Sequence, residues 1–226
     1  MIARLVLQTL LGLAGMGVLL FGAAGTLAWP AAWWYLVEIG VSSVWVGLWL
    51  ARHDPALLAE RLAPFVQSQQ SRWDRIFMMG VALAWSAWLV VMGLDAKRFH
   101  WSAPLPVELA SLGSLAVLVC IVACRYVFQA NSFAAPVVKI QSDRGHVVVD
   151  SGPYAYVRHP MYSAALLLFL GTPLLLGSWW GLACVPMLVA GIGWRAVREE
   201  RELTARLDGY AAYAARVRYR LVPYLW

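Results

Sequence analysis

Apolar residues come in long, nearly unbroken runs along this chain, and polar residues collect in the gaps between them. The first run, roughly Leu5–Ala28, carries no charge and exceeds the roughly 20 residues a helix needs to cross a bilayer. It is also longer than the apolar core of a cleaved signal peptide, about 7–15 residues. Pro30 suits the first turn of a helix and predicts a second span over roughly Ala31–Ala51. A polar segment, Arg52–Asp74, separates it from a third span, roughly Arg75–Leu94. Lys97–Pro106 reads as a short loop with two prolines, and roughly Val107–Phe128 as a fourth span.

Behind the fourth span the pattern changes. Gln129–Pro160 is polar, with His146–Val149 as a short extended piece. Tyr162–Trp194 is too long for one simple span and is punctuated by Gly171-Thr172-Pro173 and Gly177-Ser178-Trp179-Trp180-Gly181. Such clusters mark breaks, so the segment predicts a tight hairpin of two helices, roughly Tyr162–Leu176 and Trp180–Trp194. From Arg195 onward a charged amphipathic helix is expected, broken at Gly209. There is no internal repeat. The fold class this predicts is all-α: a polytopic membrane bundle of four spanning helices, a C-terminal helical hairpin and a cytoplasmic amphipathic helix.

Composition agrees. Of 226 residues, 62% are hydrophobic and 13% charged, against about 25% charged in soluble domains. Thirteen tryptophans suit a membrane–water interface. The net charge of +6 fits no basic nucleic-acid module, and no nucleic-acid partner is expected. With the N-terminus placed in the cytoplasm, Arg4, Arg52, Arg61, Arg72, Arg75, Lys139, Arg144, Arg158 and every basic residue from Arg195 fall inside. Only Lys97 and Arg98 fall clearly outside, which satisfies the positive-inside rule. A multi-pass protein of a bacterial or archaeal cytoplasmic membrane, with both termini cytoplasmic, is the expectation.

This topology brings two polar stretches to one membrane face. One is Gly152-Pro153-Tyr154-Ala155-Tyr156-Val157-Arg158-His159-Pro160-Met161-Tyr162 and the other begins at Arg195. His159 can donate or accept; Tyr154 and Tyr162 offer rings with hydroxyl tips. Arg195 offers a fork suited to a carboxylate, and Glu199, one turn on, offers an acceptor. The plain alternative is a solvated helix surface on which Arg195 pairs with Glu199. The set suits a zwitterionic ligand with a ring, a ribose and a charged tail. His146 and His159 lack partners at metal-ligand spacing, so no metal is expected. No GxxxxGK[ST] or post-strand GxGxxG phosphate loop is present, and Ser151 and Ser163 near His159 make no triad. Cys120, Cys124 and Cys184 lie inside apolar runs and read as small core residues.

The order His146-Val147-Val148-Val149, Ser151-Gly152-Pro153-Tyr154-Ala155-Tyr156-Val157-Arg158-His159-Pro160-Met161-Tyr162, hairpin, Arg195 with Glu199-Glu200, then Gly209–Pro223 resembles the isoprenylcysteine carboxyl methyltransferase family. It is similar, more distantly, to phospholipid N-methyltransferases. The resemblance covers roughly Gln129 to Pro223. It implies an integral membrane methyltransferase that takes S-adenosylmethionine in a cytoplasmic pocket. It further implies a division into membrane helices, residues 1–128, and a cofactor-binding region, residues 129–226. The cofactor positions it implies are Gln141, His146, Val147, Val148, Val149, Tyr154, His159, Pro160, Met161, Tyr162 and Glu199. Arg195 would position the methyl acceptor, and no general base is assigned. The acceptor implied is the carboxylate of a lipophilic or lipidated molecule reached among membrane lipids, with a phospholipid or a small lipophilic amine or thiol as the alternative. A transporter would want more ionisable groups at membrane depth than Glu38 and Arg125, and repeated halves. A structural protein with a vestigial pocket has no reason to keep Tyr154, His159, Tyr162, Arg195 and Glu199 together.

Overall fold

A computed structural model describes residues 1–64, 66–67 and 70–226. Part of the polar segment Arg52–Asp74 therefore lies outside the described residues. The architecture is a polytopic helical bundle, with no strand among the described residues. Five helical stretches are long and apolar enough to cross a membrane: Ile2–Ala24, Pro30–His53, Arg72–Phe99, Val107–Ala130 and Trp179–Arg206.

The first helix, α1 (Ile2–Ala24), stops earlier than its apolar run because Gly25 adopts a left-handed cap, φ 69°, and returns its N–H to Phe21. Glycine takes that conformation without the strain a Cβ brings. Pro30 then opens α2 (Pro30–His53). Asp54 ends α2 and at once caps α3 (Pro55–Arg61) by accepting from the Leu57 N–H. The next span, α4 (Arg72–Gly93), runs into a π-helical turn, Leu94–Phe99. After the proline loop comes α5 (Val107–Ala130).

The segment expected as a hairpin divides differently. Its first arm, α6 (Pro160–Leu176), holds 17 residues, about 26 Å at helical rise, and is short of the roughly 30 Å hydrocarbon layer. Gly177 ends it at φ 78°. Ser178 caps a single short turn, α7 (Trp179–Ala183), whose Gly181 N–H it accepts. The second arm, α8 (Val185–Arg206), does not stop at Trp194. Nothing between Trp194 and Arg206 breaks a helix, so the expected boundary at Arg195 is not a boundary in the backbone. The break falls at Leu207–Gly209, where Gly209 takes φ 84°, before α9 (Tyr210–Arg216).

Two contacts fix the frame. Leu20, Ala32, Tyr35, Leu89, Met92 and Leu176 form a fully buried core joining α1, α2, α4 and α6. α5 and α6 cross in close contact: a Cβ on Gly113 would lie 2.5 Å from the Leu175 amide nitrogen, and one on Gly171 would lie 2.6 Å from the Gly113 carbonyl. Backbone therefore meets backbone there, and α6 is held so that its first turn, Pro160–Tyr162, opens onto the face where α8 ends. Arg4 donates to the Leu62 carbonyl on this same face. On the opposite face the buried Asp95 accepts from Ser102 and Ser178, tying the π-turn to α7.

Candidate functional site

A loop of 29 residues, 131–159, connects α5 to α6 without regular structure beyond two 3-10 turns. Its shape comes from local bonds. Asn131 accepts from the Phe133 N–H and donates to the Tyr154 hydroxyl, 2.8 and 2.9 Å. The Phe133 ring stacks on His146 at 4.5 Å between centroids. Gly145 closes the Ser142–Arg144 turn at φ 62°, and Gly152 opens the next at φ 56°. Val147, Val148 and Val149, expected as an extended piece, form no strand and make no backbone hydrogen bond among the described residues. Their peptide edges remain open.

The loop is locked to the C-terminal segment through one carboxylate. Arg158 and His159 donate their backbone N–H groups to the Tyr219 and Arg220 carbonyls. The Glu200 side chain then receives Arg158 Nε at 2.7 Å, Arg220 Nε at 2.9 Å and His159 Nε2 at 3.2 Å. Arg158 adds bonds to the Ala214 and Val217 carbonyls. A buried carboxylate needs such company, because desolvation is costly unless the charge is paired. Glu200 is thus a structural hub, and its oxygens are already occupied.

Glu199 faces the other way. It accepts the Tyr162 hydroxyl at 2.6 Å and stands 3.9 Å from His159 Nδ1. The His159 and Tyr162 rings stack, 5.2 Å apart and 6° from parallel. The plain alternative, a pairing of Arg195 with Glu199 along the helix, does not form among the described residues. Arg195 is instead held by Asp74 Oδ1 at 3.0 Å and by the Pro136 carbonyl at 2.8 Å. Asp74, in the first turn of α4, was invisible to sequence reading because its partner lies on a different transmembrane element. Arg61, on α3, donates to the Ala134 carbonyl and lies over the Phe128 ring.

These groups line a half-open cleft whose enclosed volume is about 100 Å³, smaller than the roughly 300–1,000 Å³ typical of small-molecule sites. Of the residues singled out from sequence, His146, Val147, Val148, Val149, Tyr154, His159, Pro160, Met161, Tyr162, Arg195 and Glu199 line it. Gln141 does not. Its side chain is buried, donating to the Phe133 carbonyl and accepting from Arg144, so it shapes the loop from behind. The lining also includes residues that sequence reading left out: Asn131, Phe133–Ala135, Val137–Lys139, Arg158, Leu203, Leu207, Tyr210 and Tyr213. Leu203 continues the α8 face one turn beyond Glu199, while Leu207 and Tyr210 join the lining at the break into α9.

Burial sets the proton states of the loop and α9 groups. Burial, reinforced by Arg144, lowers His146, whose Nδ1 accepts from the Gln141 N–H. Burial raises Tyr154 and Tyr210 and pushes Tyr213 up to about 12. All three phenols therefore keep their protons. Tyr213 uses its proton on the Tyr154 carbonyl, while the Tyr210 hydroxyl is buried with no hydrogen-bond partner among the described residues.

Beside the cavity, Trp73 and Phe77 of α4 and Gly191 and Trp194 of α8 line an apolar groove. Trp194 meets Trp73 edge-on and Phe77 in a stack, and the Phe77 ring lies 5.6 Å from the Arg195 guanidinium. Arg195, which lines the cavity, thus lies beside Phe77, which lines the groove.

No curated protein matches the chain. Residues 110–210, from the first turn of α5 to the start of α9 and so through nearly the whole cavity lining, match the family model of the phospholipid methyltransferases, a match consistent with a distant relation to membrane methyltransferases of the phospholipid and isoprenylcysteine type.

Proposed function

We propose that the chain transfers a methyl group from S-adenosylmethionine to the headgroup of a membrane-borne amphiphile. The single observation that carries this reading is the cavity itself: a polar, half-enclosed site inside the matched region, set at the end of apolar helices and bordered by an apolar groove. The donor set fits the cofactor. Glu199 offers an anionic acceptor held by Tyr162, suited to ribose hydroxyls. Val147–Val149 offer open peptide edges, suited to an adenine, and Leu203 and Leu207 offer apolar walls. Tyr210 has a buried hydroxyl without a partner. A cationic ligand also gains from the carboxylate and from the Tyr162 ring. When bound, the cofactor supplies an electrophilic methyl group on a sulfonium.

The protein's own contribution is orientation and exclusion of water. Reactions of this kind gain most from holding two partners at attack distance. Tyr162 fixes Glu199, His159 braces Tyr162, and Glu200 anchors the loop that carries them. A carboxylate acceptor arrives ionised and needs no base. For an amine, Glu200 is already committed to two arginines and a histidine, which leaves Glu199 or water to take the proton. We read residues 1–128 as the membrane frame and residues 129–226 as the cofactor region, with Asp74 the contribution of the frame to the site. The basic face is assigned to the cytoplasm on the positive-inside rule.

The test is calorimetry of detergent-purified protein with S-adenosylhomocysteine, followed by incubation with methyl-labelled S-adenosylmethionine. Two acceptors are offered: N-acetyl-S-farnesylcysteine, a carboxylate, and dioleoylphosphatidylethanolamine, an amine. Binding with labelling of one acceptor is expected. Absence of cofactor binding sinks the reading; labelling of one acceptor and not the other decides its class.

A further inference from the structure

Arg195 is the cavity arginine closest to the apolar groove, and its guanidinium is not free. Both protein oxygens that reach it meet the same nitrogen, Nη2: the Pro136 carbonyl at 2.8 Å and Asp74 Oδ1 at 3.0 Å. Arginine grips a carboxylate or phosphate two-pronged through Nη2 together with either Nε or Nη1. Nη2 is thus hydrogen-bonded to the Pro136 carbonyl and held by charge against Asp74. Nε, in contrast, is buried and has no hydrogen-bond partner among the described residues. A buried donor left without a partner calls for an explanation. The Tyr162 ring, 5.8 Å from the guanidinium, lies on the cavity side of it.

Asp74 is itself over-determined. It is fully buried, and its Oδ2 accepts from the Val138 N–H at 2.9 Å and from Gln70 Nε2 at 2.8 Å. The carboxylate therefore cannot swing away, and it holds α4, the 131–159 loop and α8 in one register. It also cancels the charge of Arg195, so the arginine offers an incoming headgroup a directed hydrogen bond more than a net positive charge.

Resting on the methyltransferase reading, we infer that Asp74 is a positioning residue for the methyl acceptor: it holds the Arg195 guanidinium by charge at Nη2, so that the donors left without a protein partner among the described residues, Nε and Nη1, serve the acceptor headgroup.

The experiment measures three things for wild type, Asp74→Asn, Asp74→Glu, Arg195→Lys and the double variant Asp74→Asn/Arg195→Lys. These are S-adenosylhomocysteine affinity, kcat and KM for whichever of the two acceptors above is methylated, and thermal unfolding. Asp74→Asn should lower kcat/KM for the acceptor about ten- to a hundred-fold, with cofactor affinity kept within about three-fold. The double variant should be no worse than Arg195→Lys alone, because Asp74 acts through Arg195. Additive losses, or a loss of cofactor affinity matching the kinetic loss, overturn the inference in favour of a purely structural aspartate. If Asp74→Asn does not fold, Asp74→Glu decides: it keeps the charge but moves the carboxylate by one methylene, and unchanged kinetics overturn the inference. A wild-type protein that methylates neither acceptor overturns the methyltransferase reading instead, separately from any variant.

Discussion

Arg158 and Glu200 meet in a two-point contact, Nε to Oε1 at 2.7 Å and Nη2 to Oε2 at 3.4 Å, although one lies at the end of the 131–159 loop and the other deep in α8. Both are buried, and the pair draws in Arg220 and His159. The loop that lines the cavity is therefore held to the C-terminal segment through charge, where most of the bundle relies on apolar packing.

Glu200→Ala leaves two guanidinium groups without their shared anion. Breaking a buried pair of this kind costs about 3–5 kcal/mol. A large fall in the unfolding temperature in detergent is the expected outcome, with cofactor affinity lost along with it as the loop detaches. An unfolding temperature equal to wild type contradicts the hub described above.

Glu199→Ala acts on the ligand and leaves the frame standing. Its carboxylate supports only Tyr162 and lies 3.9 Å from His159. Removing a hydrogen bond to a charged group costs about 1.5–3 kcal/mol, roughly a ten- to a hundred-fold loss in S-adenosylhomocysteine affinity. The unfolding temperature should move far less than in Glu200→Ala. Calorimetry of the two adjacent variants side by side separates hub from ligand contact.

His146 gives the site a pH dependence with a fixed sign. Burial and Arg144 lower it in the folded protein, while the unfolded chain protonates near the ordinary value of about 6.5. The unfolded state therefore binds more protons in the window below that value, and stability rises with pH there. Its contribution is complete above about pH 6.5 and is lost as pH falls toward the lowered value. Unfolding temperatures measured against pH should show this slope in wild type and a flatter one in His146→Gln.

Orientation has its own test. On a background with Cys120, Cys124 and Cys184 replaced, single cysteines at Arg4 and Tyr224 should label from the cytoplasmic side, and one at Lys97 from the other side. Arg4 and the α8 end share one face of the bundle, while Lys97 sits on the π-turn at the opposite face. Labelling of Lys97→Cys together with Tyr224→Cys rules out the arrangement.

Much of the frame was legible in sequence because apolar runs of about 20 residues have few other uses. Helix ends were read well where a proline or glycine marks them, as at Pro30 and Gly177. They were misread where only polarity changed. The rise in charge at Arg195 looked like a new element, but α8 continues to Arg206 because charge does not break a helix and the breakers wait at Leu207–Gly209. Contacts between distant elements were hidden for a different reason. Asp74 reads as one more polar residue before a span, and only the approach of α4 to α8 makes it the partner of Arg195. Gln141 failed the other way: its position beside His146 in the chain is real, but its amide is consumed by Phe133 and Arg144.

The glycine-to-glycine crossing of α5 and α6 has a consequence for traffic. Two helices whose backbones touch at Gly113 and Gly171 leave no slot through which a hydrocarbon tail could thread. That crossing is a closed seam, and on the methyltransferase reading an acceptor would approach along the flank lined by Trp73, Phe77 and Trp194. The same seam anchors α6 as a rigid post beneath Tyr162, so that a tail sliding along the aromatic flank is guided toward a target that does not move.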